Sequence, residues 1–312
     1  MLLILNYHYV RENFLENGGI KGITHSDFIK QIELISKFGD FLSLDSLKKF
    51  NSNVNLNKNY ILITFDDALK EQYNFAFSYL YSKGIPAAFF VNLVNSEKNI
   101  TSNVHKNHLI REKISIDELN ILLFDFLKQN NLVIKQNEIH YGHYKYDDVS
   151  TAKFKYVFNF CLSKKLQDDF QNKLFHQLYD EDKISKSLYM NKDELNEIAS
   201  NNCLDSHLYE HVSLKNISDL EFEQQLTRNK TLLNQLYGVK SEVLSFPYGD
   251  KKSVTESLIN ILKKNNYKYS ISMNRDFNYN LKNNYLLNRF SNSDLPGGNF
   301  SIFDNNFKRI IK

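Results

Sequence analysis

The chain opens on an apolar run, Leu2 to Tyr7, that ends in His8, and a second run, Ile61 to Phe65, ends in the adjacent carboxylates Asp66 and Asp67. Runs of this length without polar alternation predict strands buried on both faces, as in a parallel sheet. Helical spacing follows each. Phe28, Ile32, Ile35 and Phe38 fall on one face after a Ser26 or Thr24 cap and close at Gly39; Ala76, Phe77 and Leu80 line the next helix before Gly84. Pro86 leads into the strand Ala87 to Val91. The rhythm returns with strands at Cys203 to Ser206, Val243 to Phe246, Tyr267 to Ser272 and Tyr285 to Leu287. Helices between them run from Asn191 in capping-box fashion, from Leu220 to Tyr237 ahead of Gly238, and from about Val254 to Lys264. Strands mostly followed by helices predict an α/β protein with a parallel sheet.

From about residue 95 to 186 strand signals thin. Apolar positions recur at helical spacing from Leu119 to Leu127 and from Phe154 to Phe175, which predicts a mainly helical insertion in one domain spanning 1–312. Its polar, aromatic tip, His140 to Asp148, reads as an exposed loop, and the i, i+3 pairs His140/His143 and His105/His108 read as loop residues without function.

Composition narrows the classes. With 312 residues and 42% hydrophobic positions the chain can bury a sizeable core, and a net charge of +3 gives no ground for a nucleic-acid partner. Cys161 and Cys203 stand far apart, which predicts neither a disulfide nor a cysteine zinc cluster and points to a reducing compartment. Met1 to Asn6 is too short for a secretion signal and no window nears the ~18 apolar residues of a membrane span, so the expected location is cytoplasmic.

Two like charges at Asp66 and Asp67 are costly unless a cation compensates them. His207-Leu208-Tyr209-Glu210-His211 places two imidazoles at i and i+4, which on a helical turn share one face and, with Asp67, make a two-histidine, one-carboxylate metal site with open positions. Alone, such a pair is usually a surface-helix coincidence and Asp-Asp after a strand a helix cap. A third strand end, Ser245-Phe246-Pro247-Tyr248-Gly249, changes this, because three strand ends then meet at one mouth, where α/β folds place their chemistry.

Thr64-Phe65-Asp66-Asp67-Ala68, His207-x-x-x-His211 and Phe246-Pro247-Tyr248-Gly249, in this order, resemble the NodB-homology polysaccharide deacetylases of carbohydrate esterase family 4. Lys83 to Val91, Asn191 to His207 and the opening Asn6-Tyr7-His8 are similar to that family too, leaving only about 95–186 outside the likeness. The resemblance implies a distorted (β/α)7 barrel and hydrolysis of the N-acyl group of an amino sugar with a divalent metal, Zn²⁺ first and Co²⁺, Ni²⁺ or Mn²⁺ as alternatives. It implies Asp67, His207 and His211 as metal ligands, Asp66 as the general base and the Tyr248 backbone N–H as oxyanion donor. Departures bear on the site. Ala68 stands for the family's glycine. Leu208 stands for the Ser/Thr after the first metal histidine, a bond that Ser206 could replace. Ser245 holds the place of the arginine that orients the base, and Leu287-Asn288-Arg289 replaces the Leu-x-His of the general acid. The expected substitutes are Arg289 beside Asp66 and His8 as the acid, with Asp294 either meeting sugar hydroxyls or capping. The first functional reading is therefore a deacetylase for an N-acylated amino sugar, nucleotide- or lipid-linked, in surface-glycan synthesis. A glycan-binding pseudoenzyme and a hydrolase of cyclic amides are the alternatives.

Overall fold

The apolar runs form strands that pair in parallel, and the computed structural model describes residues 1–15, 18–51, 56–134, 147–250, 252–298 and 301–303. The strands are β1 (Leu2–Tyr7), β2 (Val10–Arg11), β3 (Ile23–Thr24), β4 (Asp40–Phe41), β5 (Tyr60–Asp66), β6 (Ala87–Val91), β7 (Leu204–Ser206), β8 (Val243–Ser245), β9 (Tyr269–Ile271) and β10 (Phe290–Ser291). The main sheet runs β10-β1-β5-β6-β7-β8-β9 with β4 against β5, while β2 and β3 pair separately. It curls into the distorted (β/α) barrel that the resemblance implies. Among the described residues its ladder stays open between β9 and β10, where single bridges from Leu287 to Ile271 and from Asn278 to Leu2 span the gap.

Strand parity decides which residues face inward. Leu2, Ile4, Leu62, Ala88, Phe90, Val243, Tyr269 and Ile271 form one buried cluster, whereas Leu3, Leu5, Ile61, Ile63, Phe89 and Val91 pack in another with helix residues Phe28, Ile32, Leu80, Leu195 and Ile198. Side chains alternate with period two, so Asn6, Thr64 and Asp66 continue the line of Leu2, Ile4 and Leu62. The register pairs Asn6 with Thr64 and Asp66 with Phe90. The interior is thus apolar low down and polar at the strand ends. A one-residue slip of β5 would turn Asp66 toward the helices.

Local signals set most boundaries. Thr24, not Ser26, accepts from Asp27 N–H at 3.1 Å, and that helix ends at Ile35, so Gly39 is not its terminus. Asn191 and Glu194 form the capping box before Lys192–Ser200, and Gly238 ends Asp219–Tyr237 with φ 65°. The segment Tyr285 to Leu287 is not a strand but gives the lone Leu287 bridge. The last strand is Phe290–Ser291, which places Arg289 at its threshold.

Contacts divide the chain into two compact units, residues 1–14, 22–100 and 185–312 in one, and 15–21 with 101–184 in the other. The first holds the barrel. The second is helical: Asn103–Lys113, Ile116–Gln129, Val149–Tyr156 and Lys164–Leu178 enclose Ile110, Leu123, Phe126, Phe154, Phe170 and Phe175. His105 and His108 lie on the first of these helices rather than in a loop, and His105 is buried. The His140/His143 stretch lies outside the described residues.

Asp205 of β7 is fully buried and saturated. It takes Lys48 Nζ at 2.8 Å, the Ser241 hydroxyl at 2.6 Å and the N–H groups of Ser206 and Val243 at 2.9 and 3.1 Å. Breaking a buried ion pair leaves its partners uncompensated. Asp205→Ala should therefore cost about 3 kcal/mol of unfolding free energy, read as a lower urea midpoint.

Candidate active site

All the candidate residues lie in the barrel unit, His8, Asp66, Asp67, His207, His211 and Tyr248 at or just past the carboxyl ends of strands and Arg289 just before β10. β5 ends by delivering Asp66 inward. The turn after it places Asp67 at φ 78° and Ala68 at φ 54°, two successive residues in the left-handed region. That explains the cost of replacing the glycine expected at 68, since a Cβ is disfavoured there. Asp67 N–H donates to Phe90 O at 3.0 Å, which extends the β5–β6 ladder past Asp66.

Asp66 is 2% exposed and Arg289 is fully buried. The guanidinium grips the carboxylate with both ends: Nη1 donates to Oδ1 at 3.0 Å and Nη2 lies 2.8 Å from Oδ2. Asn6 Nδ2 adds a bond to Oδ2 at 3.1 Å, and Thr64 Oγ1, donating to Leu5 O at 2.7 Å, lies 3.4 Å from Asn6 Oδ1. Burial works to raise the Asp66 carboxyl, but Arg289, with His207 and His8, outweighs it and holds the group below the usual carboxylate value. Asp66 is thus an anion fixed in plane and direction.

Asp67 faces the histidines. Its Oδ1 lies 3.5 Å from His207 Nε2 and 3.6 Å from His211 Nε2. His207 Nδ1 donates to the Ser245 carbonyl at 2.7 Å, so in the neutral ring Nε2 carries the lone pair, and this buried atom has no hydrogen-bond partner. One ligand atom from each of Asp67, His207 and His211 lies within 4.8 Å of the others. Two imidazoles and a carboxylate, one of them locked in tautomer by a carbonyl, form a donor set that fits a divalent cation.

The histidine pair is not on a helix. Residues 207–211 form bends, with Leu208 at φ 63°, and Asn92 Nδ2 ties the loop down by donating to His207 O and to Leu208 O. The left-handed residue folds the chain back and brings the rings to 5.2 Å. Nor does Ser206 hold His207: its hydroxyl accepts from Asn229 Nδ2 at 2.9 Å, and the Ser245 carbonyl does the orienting.

His8 Nε2 stands 3.9 Å from Asp66 Oδ2 and 3.8 Å from Asp67 Oδ2, with its side chain 37% exposed. Burial pushes its imidazole below the ordinary value against the pull of Asp67 and Asp66. Tyr248 sits on the Pro247 turn at φ 51°, its half-exposed ring edge-on to His211 at 4.6 Å. Among the described residues its N–H has no acceptor. Asp294 does not reach this group. It is fully buried, caps its own turn by accepting from Ser291 N–H and lies 3.4 Å from Arg275 Nε.

Sequence reasoning missed Asn6 and Gln72. The signal for Asn6 was its polarity at the inward parity of an apolar strand; Gln72, inside a helical pattern, gave none.

Residues 160–270 match the family described as polysaccharide deacetylase. That match covers about a third of the chain. The matched stretch includes His207, His211 and Phe246 to Gly249, while Asp66 and Asp67 fall before it. Solved structures share the fold over nearly the whole chain. The Streptococcus pyogenes deacetylase PplD, in complex with acetate, aligns at TM-score 0.56 and 15% identity over 93% of this chain and 91% of that one. IcaB from Ammonifex degensii gives 0.57 and 15% over 95% and 94%. A de-N-acetylase from Aggregatibacter actinomycetemcomitans gives 0.54 and 12% over 93% and 94%. A comparison with curated protein sequences gave no match.

Titration with Zn²⁺ or Co²⁺ tests the donor set. Asp67→Ala and His207→Ala should each weaken binding at least ~10-fold by calorimetry, and His8→Ala should leave the stoichiometry unchanged.

Proposed function

We propose that this protein is a deacetylase that removes the N-acetyl group of an amino sugar in a surface polysaccharide or its nucleotide- or lipid-linked precursor, with Zn²⁺ held by Asp67, His207 and His211. The observation that supports this most is the division of labour between adjacent acids: Asp66 is clamped by Arg289 and Asn6, while Asp67 turns to the two histidines. A divalent ion bound there would polarise the amide carbonyl and make water acidic enough to attack near neutral pH.

The chain's own groups supply the remainder. Asp66, held ionised, takes the proton from the attacking water, and Arg289 and Asn6 keep its lone pairs in place. Oδ2 already accepts from Asn6 and lies against Nη2, whereas Oδ1 takes only Nη1, so Oδ1 is the oxygen left to receive the proton. His8 at the open rim donates to the leaving amine. Its depressed value makes the imidazolium a stronger acid for that step. The unsatisfied Tyr248 N–H stabilises the oxyanion as the carbonyl becomes tetrahedral.

The direct test is acetate release from a panel of N-acylated amino-sugar oligomers by the zinc- or cobalt-loaded protein. Asp66→Asn should lower kcat by about 10²–10⁴-fold while the ion stays bound. Loaded protein that frees no acetate from any of them would sink the proposal. A second outcome concerns pH. Arg289 favours the ionised base, so Arg289→Gln raises the Asp66 value, and the acidic limb of the kcat/KM profile should move to higher pH by about one unit or more.

A further inference from the structure

Gln72 is fully buried below the mouth, and its side-chain amide is committed to the site. Nε2 donates to Asp66 O at 2.7 Å and to His8 O at 3.0 Å, and Oε1 accepts from Leu69 N–H at 3.2 Å. One amide thus bonds the ends of two neighbouring strands and the exit of the turn between Asp66 and Leu69. Both donor hydrogens are used, the one on Asp66 O in a fully buried bond and the one on His8 O in a partly buried bond.

That turn needs holding. Asp67 and Ala68 are consecutive non-glycine residues at φ 78° and 54°. Such backbone persists only where its surroundings over-determine it. Asp67 N–H on Phe90 O and Met190 N–H on Ala68 O, at 3.0 and 2.9 Å, fix the turn against β6 and the segment before Asn191. Neither bond touches β1. Gln72 alone among these bonds ties the turn to His8, and it stands at the first residue of the π-helical segment Gln72–Phe77. A π-turn inside a helix often marks a functional position.

We propose that Gln72 is a positioning residue that sets the distance between the His8 ring and the two carboxylates, and so serves both proton transfer and the aim of Asp67 at the histidines. The inference rests on the deacetylase reading for its kinetic part and on the donor set alone for its metal part. Without the amide donors, the Asp66 and His8 carbonyls lose their shared partner just beyond the last ladder pair of β1 and β5, Tyr7 with Phe65. The side chain meets no substrate, so its removal acts on kcat rather than on KM.

Gln72→Met keeps length and packing without the bonds. Gln72→Glu keeps the acceptor for Leu69 N–H and loses the amide donor. Both should lower kcat by about 10- to 100-fold with KM within about threefold, and both should weaken Co²⁺ affinity about 10-fold, followed by the visible absorption of the bound ion. Wild-type kcat and Co²⁺ affinity in either variant, even with a lowered Tm, would overturn the assignment. If Gln72→Met does not fold, Gln72→Glu decides alone. Should the wild type release no acetate, the deacetylase reading fails while the Co²⁺ titration still tests Gln72.

Discussion

The contact on which the site depends is the one between the Arg289 guanidinium and the Asp66 carboxylate. Two acids in sequence at a dry strand end cannot both stay charged without a cation, because burial favours the neutral acid. Arg289 supplies it in bidentate form from the threshold of β10, with Nη2 also 3.0 Å from Met273 Sδ. With Asp66 settled this way, Asp67 is released to face His207 and His211. The place where the family resemblance expects the arginine holds Ser245, whose carbonyl orients His207 instead. Cation and histidine anchor have thus been redistributed around one mouth while the charge balance is kept.

The inward face of the sheet gives that contact its setting. Leu62, Ala88 and Phe90 fill the lower interior, and polar side chains begin only at Asn6, Thr64 and Asp66. A hydrogen bond or ion pair in such surroundings is stronger than in water, and a missing one more costly. Side chains and backbone around Asp66 are tied in turn: Thr64 donates to the Leu5 carbonyl, Asn6 holds Asp66, and Gln72 holds the backbone behind it. Preorganisation of this kind is what a charge-developing reaction requires.

Much of this was legible because it is local. The apolar runs of β1, β5 and β6, the Asn191 capping box and the Gly238 terminus each rest on a few neighbouring residues, and the structure has them. What failed depended on partners far away in sequence. The i, i+4 spacing of His207 and His211 suggested a helical turn, but Asn92 and a left-handed Leu208 build a bend. Tyr285 to Leu287 had the composition of a strand, yet the final pairing falls at Phe290 and Ser291 opposite Leu5 and Asn6. Arg289 was recognisable as the substitute cation only because the expected position was empty of charge. Gln72 looks like any polar residue of a helix until its three bonds are seen.

The placement of residues 101–184 between β6 and β7 bears on how the protein comes to exist. Asp67 and His207 are separated in the chain by that whole unit, and Asp66 and Arg289 by more still. Closing such loops costs entropy that grows only slowly with length, but long-range pairing slows folding. The mouth therefore rests on contacts between segments far apart in the chain, β5, β7 and the residue before β10. A cation with affinity only for the finished cluster would act by mass action on the folding equilibrium, making metal supply a determinant of how much folded protein a cell retains.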